Sequence, residues 1–133
     1  MALTKDRTEI MSSVAVSNSS STTLGQCTKV DCTKFAELIC EAVVQFHASA
    51  SGDVRIHARA STEDTTAAWS QCVDYGADET GYFDVTCDAG NTVRKTVPLW
   101  SDPLYLKFVA TNYDDTVAAT VTVAYVGQEI DPT

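Results

Sequence analysis

Polar and apolar residues alternate along the stretch from Ala36 to Ala60. One face collects the apolar residues Leu38, Cys40, Ala42, Val44, Phe46 and Ala48, followed by Val54, Ile56, Ala58 and Ala60. Alternation with a period of two is typical of a half-buried strand, and the S-A-S-G sequence between the two arms is typical of a turn. The stretch therefore predicts an antiparallel hairpin. Its simplest register, centred on Ser51, places Phe46 opposite Ile56.

The other face of this predicted hairpin is polar and carries both acidic and basic side chains. It is the most mixed surface on an otherwise acidic chain. We therefore predict a candidate partner-contact face that consists of Glu41, Gln45, His47, Arg55, His57 and Arg59.

Further strands are predicted where alternation or β-branched residues recur. These segments are residues 11–16, 24–31, 72–75, 81–87, 92–99, 104–110 and 117–126. In the last of them Val117, Ala119, Val121, Val123 and Tyr125 are expected to face the core. Pro98 removes a ladder donor, so segment 92–99 is expected at the edge of a sheet. The polar stretch 61–71 is expected to form a loop that Trp69 anchors.

About eight short strands joined by turns, with no convincing helix, predict an all-β fold. We expect a single antiparallel β-sandwich with a jelly-roll-like arrangement. The length of 133 residues is close to that of one domain. The expected boundaries are a loose N-terminal arm over residues 1–13, the sandwich over residues 14–127 and a free C-terminal tail over residues 128–133.

The charge balance excludes one class of partner. The chain has 18 acidic and 9 basic residues, which gives a net charge of −9. Such a field repels phosphate backbones, so we expect no nucleic-acid binding. No run of about 18 apolar residues occurs, so we expect no membrane span. The N-terminal residues do not resemble a signal peptide, which leads us to expect synthesis in the cytoplasm.

The five cysteines are expected to remain free thiols. Reduced thiols are usual for a protein made in the cytoplasm. Cys27 and Cys32 have C-x4-C spacing but lack the second pair of a zinc ribbon. Cys40 lies on the apolar face of the predicted hairpin, where a thiol packs as a small hydrophobe.

No other pattern predicts a metal, a cofactor or a reaction. His47 and His57 could hold a metal together with Glu41 or Asp53, but a metal site needs three ligands in tight geometry, and a regular register offsets the two rings. The acidic segments 74–84 and 112–115 match no EF-hand spacing, so we expect solvated loops instead of calcium sites. The chain lacks G-x-S-x-G, H-E-x-x-H and phosphate-binding glycine loops, so we expect no catalytic residues, no cofactor and no enzymatic activity.

The aromatic residues allow two interpretations. Trp69, Trp100, Tyr75, Tyr105 and Tyr113 lie in or beside predicted loops. Exposed rings would suit stacking on a sugar or contact with a protein. Alternatively, the two tryptophans cap the ends of the sandwich core.

Four motifs follow one another in a familiar order. They are V-D-C-T-K-F-A-E-L-I-C from Val30, a polar loop over residues 61–69, L-Y-L-K-F-V-A-T-N over residues 104–112, and T-V-A-A-T-V-T-V-A-Y over residues 116–125. This order resembles small β-sandwich structural proteins of tailed bacteriophages. In that family V-D-x-S-G-Y leads into a strand, S-x-D-G-x-x-W forms a loop, and Y-x-Y-L-R-V-x-x-x-N precedes a Thr/Val-rich last strand. The chain departs from the family at its loop, which has Glu63-Asp64-Thr65 instead of Asp-Gly.

The resemblance implies a virion component without enzymatic activity, made in the host cytoplasm. The expected function is a capsid decoration or cement protein that stabilises the head between capsid subunits. Its expected partners are the major capsid protein or other virion proteins, and it is expected to be a homo-oligomer. The alternatives are a phage neck or tail accessory protein, or a carbohydrate-binding β-sandwich module. The predicted arm, residues 1–13, is the candidate segment for reaching a neighbouring subunit.

Overall fold

Nine strands and one short helix make up the computed structural model, which describes residues 3–76, 79–99 and 103–130. The strands are β1 (Leu3–Val16), β2 (Ser20–Ser21), β3 (Val30–Asp31), β4 (Phe35–Phe46), β5 (Val54–Ser61), β6 (Tyr82–Val85), β7 (Thr92–Leu99), β8 (Tyr105–Asn112) and β9 (Ala119–Ile130). The helix is α1 (Thr66–Gln71), and 3-10 turns span Leu24–Gln26 and Cys32–Lys34.

The strands form two antiparallel sheets that pack face to face. Sheet I has the order β1-β9-β4-β7, and sheet II has the order β2-β8-β5-β6, with β3 beside β8. When β2 and β3 are counted as one interrupted strand, the first strand pairs with the last, the second with the next to last, and so on inward. This winding is that of an eight-stranded jelly roll. The predicted all-β sandwich is confirmed.

The predicted hairpin of β4 and β5 is wrong. β4 pairs with β7 and β9 in sheet I, whereas β5 pairs with β6 and β8 in sheet II. The predicted core residues are buried from Leu38 to Phe46 and from Val54 to Ala58. Val43 is buried as well, and Ala48, which was predicted to face the core, is exposed. Alternation reports which face of a strand is buried but not which strand lies beside it, so residues 47–53 form a crossover between the sheets.

The predicted arm and tail are also wrong over the residues that the structure describes. β1 pairs with β9 from Leu3 opposite Ile130 to Val16 opposite Ala119. Residues 3–13 therefore belong to β1 of sheet I, and residues 128–130 belong to β9 of the same sheet. Residues 1–2 and 131–133 lie outside the described residues. β1 is an edge strand whose residues 5–9 are all exposed, and edge strands commonly carry charged residues.

Four smaller predictions can be compared with the structure. The prediction that the chain has no helix is wrong at residues 66–71, where α1 forms and Thr65 Oγ1 caps it by accepting a hydrogen bond from the N–H of Ala68 at 3.1 Å. Trp69 on this helix is buried, as predicted. The edge position of β7 is confirmed. Segment 24–31, predicted as a strand, contains a 3-10 turn and only two strand residues.

The core lies between the two sheets and is closely filled by apolar side chains. Its largest fully buried members include Phe108, Met11, Ile56 and Leu106. Cys27, Cys32 and Cys40 are also buried there, and all five cysteines are free thiols. The one helix of the described residues falls far short of the length and apolar character that a membrane crossing requires.

Candidate functional site on the outer face of sheet II

The candidate partner-contact residues do not form one surface. Glu41 and Gln45 lie on the outer face of sheet I, and His47 follows the end of β4. The other three, Arg55, His57 and Arg59, lie on the outer face of sheet II. The predicted single face is therefore corrected to two faces on opposite sides of the sandwich. A role of either face in partner contact stays a prediction.

On sheet I, Glu41 is the centre of an ion-pair network. Its Oε1 accepts hydrogen bonds from Arg7 Nη2 and Arg94 Nη1, each at 3.2 Å. These contacts join β1, β4 and β7 across the sheet. Exposed ion pairs of this kind contribute about 0–1 kcal/mol each to the free energy of unfolding, so the network stabilises the sheet only modestly. His47 has a local role, because its Nδ1 accepts a hydrogen bond from the N–H of Ser49 at 3.0 Å.

On sheet II, His57 is part of a chain of polar contacts. Its Nδ1 lies 2.8 Å from Asp74 Oδ2, and its Nε2 lies 3.2 Å from Thr111 Oγ1. Thr111 Oγ1 lies 2.7 Å from Ser21 Oγ. When the His57 imidazole is neutral, it donates from one nitrogen and accepts at the other, and the carboxylate favours the tautomer with the proton on Nδ1. Nε2 then accepts from Thr111, and Thr111 accepts from Ser21.

Asp74 also lies beside Arg59. Its Oδ1 is 3.6 Å from Arg59 Nε, a charge contact that is too long for a hydrogen bond. These two atoms are buried without a hydrogen-bond partner in the part of the chain that the structure describes. An isolated bridge between the backbones of Arg59 and Asp74 holds the two residues side by side.

Arg55 contacts two aromatic side chains, Tyr82 and Tyr113, on this face. It donates to both carboxylate oxygens of Asp84, at 2.7 and 3.1 Å. These bonds lower the pKa of Asp84 below its ordinary value and raise the pKa of Arg55. The Arg55 guanidinium lies 4.1 Å from the ring centroid of Tyr82 and 5.4 Å from that of Tyr113. Tyr113 is thereby held at the edge of the sheet although 53% of its surface is exposed.

Between β2 and β5 the outer face of sheet II is concave. The groove has a volume of about 470 Å³ and is lined by Ser21, Thr22, Thr23, Leu24, His57, Arg59, Val109, Thr111 and Tyr113. We call it the Arg59 groove. Its volume falls within the usual range of small-molecule sites, about 300–1,000 Å³. A second depression of about 470 Å³ lies beside α1 and is lined in part by Pro103 and Leu104. Trp100 lies outside the described residues.

The Asp74–His57–Thr111 order is also that of groups that activate a hydroxyl for acyl transfer. Such chemistry needs backbone N–H groups free to stabilise an oxyanion. Thr111 lies inside β8, paired with Ser21 on one side and Arg55 on the other. The neighbouring N–H of Ala110 donates to Thr22 Oγ1 at 2.9 Å. The arrangement is therefore suited to holding donors and acceptors in fixed positions for binding.

The acidic segments considered for calcium are used within the fold. Asp74 and Asp84 have the partners described above, and Asp78 lies outside the described residues. Asp114 is buried and accepts hydrogen bonds from Ser51, Gly52, Thr116 and Val117. Among the described residues, no group of three His, Cys, Asp or Glu side chains could hold a metal ion.

Sequence reasoning found only part of this site. It selected Arg55, His57 and Arg59 but placed them beside Glu41 and Gln45. It missed Ser21, Asp74 and Thr111 as their partners, because these come from segments far away in the chain. The alternation of residues 104–110 carried some signal, since it identified the faces of β8.

Comparisons with known proteins give little guidance. No family model and no curated protein matches the chain. Among solved structures, the chain has a likeness to one titled "nora virus structure", with 12% sequence identity and a TM-score of 0.30. The match covers 99% of this chain and 59% of that chain. A likeness this low carries no argument about function, and the resemblance to tailed-phage structural proteins stays a prediction.

Proposed function

We propose that the chain is a virion structural protein, and specifically a capsid decoration protein of a tailed bacteriophage. The observation that carries the proposal is the complete jelly-roll winding of sheets I and II. Jelly rolls form viral capsid domains as well as lectin domains and cupins. This support is an analogy of architecture. The motif order from Val30 to Tyr125 adds to the analogy, since it resembles phage structural proteins.

The outer face of sheet I offers a surface for the capsid. Ile39 lies there, 41% exposed, with Pro98 and Val126 as its cross-strand neighbours. We call these three residues the Ile39 stripe. Exposed apolar patches with a polar rim are typical of protein interfaces, and the Glu41 network supplies that rim. A decoration protein would bury this stripe within an interface of about 1,200–2,000 Å² in total.

The first test is the composition of the particle. Purified virions of the source are expected to contain the chain at a copy number comparable to that of the major capsid protein, as measured by quantitative mass spectrometry. Absence from the particle would reject the proposal. A few copies per particle, with antibody labelling at the neck or tail, would also reject decoration and would support a neck or tail accessory protein.

The second test concerns the stripe. Ile39→Glu is expected to weaken rebinding of the protein to stripped capsids by at least about tenfold, because it buries a charge at the interface. The matched control is Val73→Glu, which introduces the same charge at a residue that is 57% exposed and lies outside the stripe. Equal loss of binding by both variants, or by neither, would reject the Ile39 stripe as the contact surface.

A further inference from the structure

We infer that the Arg59 groove binds a sugar that carries a carboxylate, such as a uronic or sialic acid. This site is on sheet II and is independent of the proposed capsid contact on sheet I. The inference combines one guanidinium, a fixed chain of hydroxyls and an exposed aromatic ring. Each of these matches one part of an acidic sugar.

Arg59 is the group that would bind the carboxylate. Its side chain is 31% exposed, whereas that of Asp74 beside it is only 18% exposed, so Arg59 is the more accessible member of the pair. The hydrogen bonds of the described residues do not engage its terminal nitrogens. Lys107, its cross-strand neighbour, adds a second positive charge. Arginine matches a carboxylate with two parallel hydrogen bonds, which lysine does not.

The hydroxyls would bind the ring substituents. With His57 neutral and its proton on Nδ1 towards Asp74, the hydrogen bonds run from Ser21 to Thr111 and from Thr111 to His57. The chain therefore ends at the Ser21 oxygen, whose lone pairs are oriented to accept from a ligand hydroxyl. Groups held in place before binding lose little entropy when the ligand arrives.

Tyr113 would pack against the carbon face of the sugar. Its ring borders the groove, and the Arg55 guanidinium lies 5.4 Å from the centroid of that ring. A tyrosine has an apolar ring and a polar tip, which suits a ligand that is apolar on one face and hydroxylated at its rim. The groove volume of about 470 Å³ accommodates one or two sugar units.

The test is a titration followed by backbone amide NMR, with four probes. They are N-acetylneuraminic acid, methyl glucuronide, neutral methyl glucoside and acetate. We expect the acidic sugars to shift the amides of β2, β5 and β8, and to bind at least about tenfold more tightly than methyl glucoside or acetate. Equal binding of neutral and acidic sugars, equal binding of acetate, or no binding of either acidic sugar would overturn the inference.

Variants assign the binding to the groove. Arg59→Gln is expected to weaken acidic-sugar binding at least about tenfold, and Arg59→Lys to restore only part of it. Arg94→Gln on sheet I is the matched control and should bind as the wild type does. Tyr113→Ala, on the exposed rim, is expected to weaken binding as well and does not depend on the stability of the Arg59–Asp74 pair. Thermal unfolding checks that each variant is folded. Unchanged affinity in both Arg59→Gln and Tyr113→Ala would overturn the inference.

Discussion

At the residue scale, Asp114 determines how the chain crosses from sheet I to sheet II. One carboxylate oxygen accepts from the N–H groups of Ser51 and Gly52, at 2.7 and 3.1 Å. The other accepts from the N–H groups of Thr116 and Val117, at 2.9 and 3.1 Å. Gly52 is needed for this approach, because a Cβ there would lie 2.4 Å from the backbone nitrogen of Asp114. One buried side chain thus joins the β4–β5 crossover to the β8–β9 turn.

Asp114→Asn is expected to lower the thermal unfolding temperature, because an amide accepts fewer of these hydrogen bonds and turns an N–H group towards other donors. Asp115→Asn is the matched control, since Asp115 is exposed and the charge change is the same. Calorimetry should show a clear drop for Asp114→Asn and little change for Asp115→Asn. Equal unfolding temperatures for the two variants would contradict this role.

The same contacts make stability depend on pH. Hydrogen bonds from the N–H groups of Ser51, Thr116 and Val117 hold the pKa of Asp114 well below its ordinary value of 3.8. A carboxyl with a lowered pKa in the folded state stabilises the fold above its unfolded pKa, and this contribution is lost as pH falls towards the folded pKa. Urea unfolding at a series of pH values is therefore expected to show a loss of stability below about pH 4. The loss should be smaller in Asp114→Asn.

At the scale of the element, β1 is a strand of sheet I although its sequence resembles that of a polar arm. Charged residues on its solvated face, such as Arg7 and Glu9, make it look like a polar arm. Ile10 and Met11 are both buried at a register shift, which breaks the alternation that would have identified a strand. The strand covers β9, which would otherwise be an edge of sheet I.

Deleting residues 1–13 is expected to destabilise the protein strongly and to cause self-association, because β9 then becomes a long open edge. Light scattering and urea unfolding measure the two effects. Met11→Ala keeps the strand but removes a buried side chain, so it should cost about 2–5 kcal/mol without self-association. A truncated protein that stays monomeric and as stable as the wild type would show that β1 is dispensable.

At the scale of the whole molecule, the cysteines divide into two classes. Cys27, Cys32 and Cys40 lie in the core, while Cys72 and Cys87 are half-buried near the surface. Burial raises the pKa of Cys27 and Cys32 to about 11 and that of Cys40 to about 12. The thiolate is the reactive form, so these three thiols are protected both by the core and by their ionisation.

A thiol reagent at pH 8 is expected to modify Cys72 and Cys87 first and the three core thiols only as the sandwich unfolds globally. Mass spectrometry over time measures the order of modification. The double variant Cys72→Ser with Cys87→Ser should lose the early phase and keep the late one. Early modification of Cys40 would show that the two sheets open locally in the folded protein.

The sequence alone determined which residues face the core in β5, β8 and β9 and in most of β4. Val121 and Val123 of β9 and Val54 and Ile56 of β5 were identified, because the two faces of a strand differ by one residue and the pattern is local. The choice of strand partners depends on contacts between distant segments, and local alternation does not encode it. Only the tertiary structure therefore decided that β4 and β5 belong to different sheets.

The residues of the candidate site also divide into those that the sequence identified and those that only the fold brings together. Sequence reasoning selected His57 and Arg59 because both alternate with buried residues on one strand. Their partners Ser21, Asp74 and Thr111 come from three other segments, and no local pattern connects these to β5. The jelly-roll winding places β5 beside β8, β8 beside β2, and the segment after α1 beside Arg59. The Arg59 groove therefore exists only in the folded chain, where antiparallel pairing brings residues far apart in sequence to one face of a sheet.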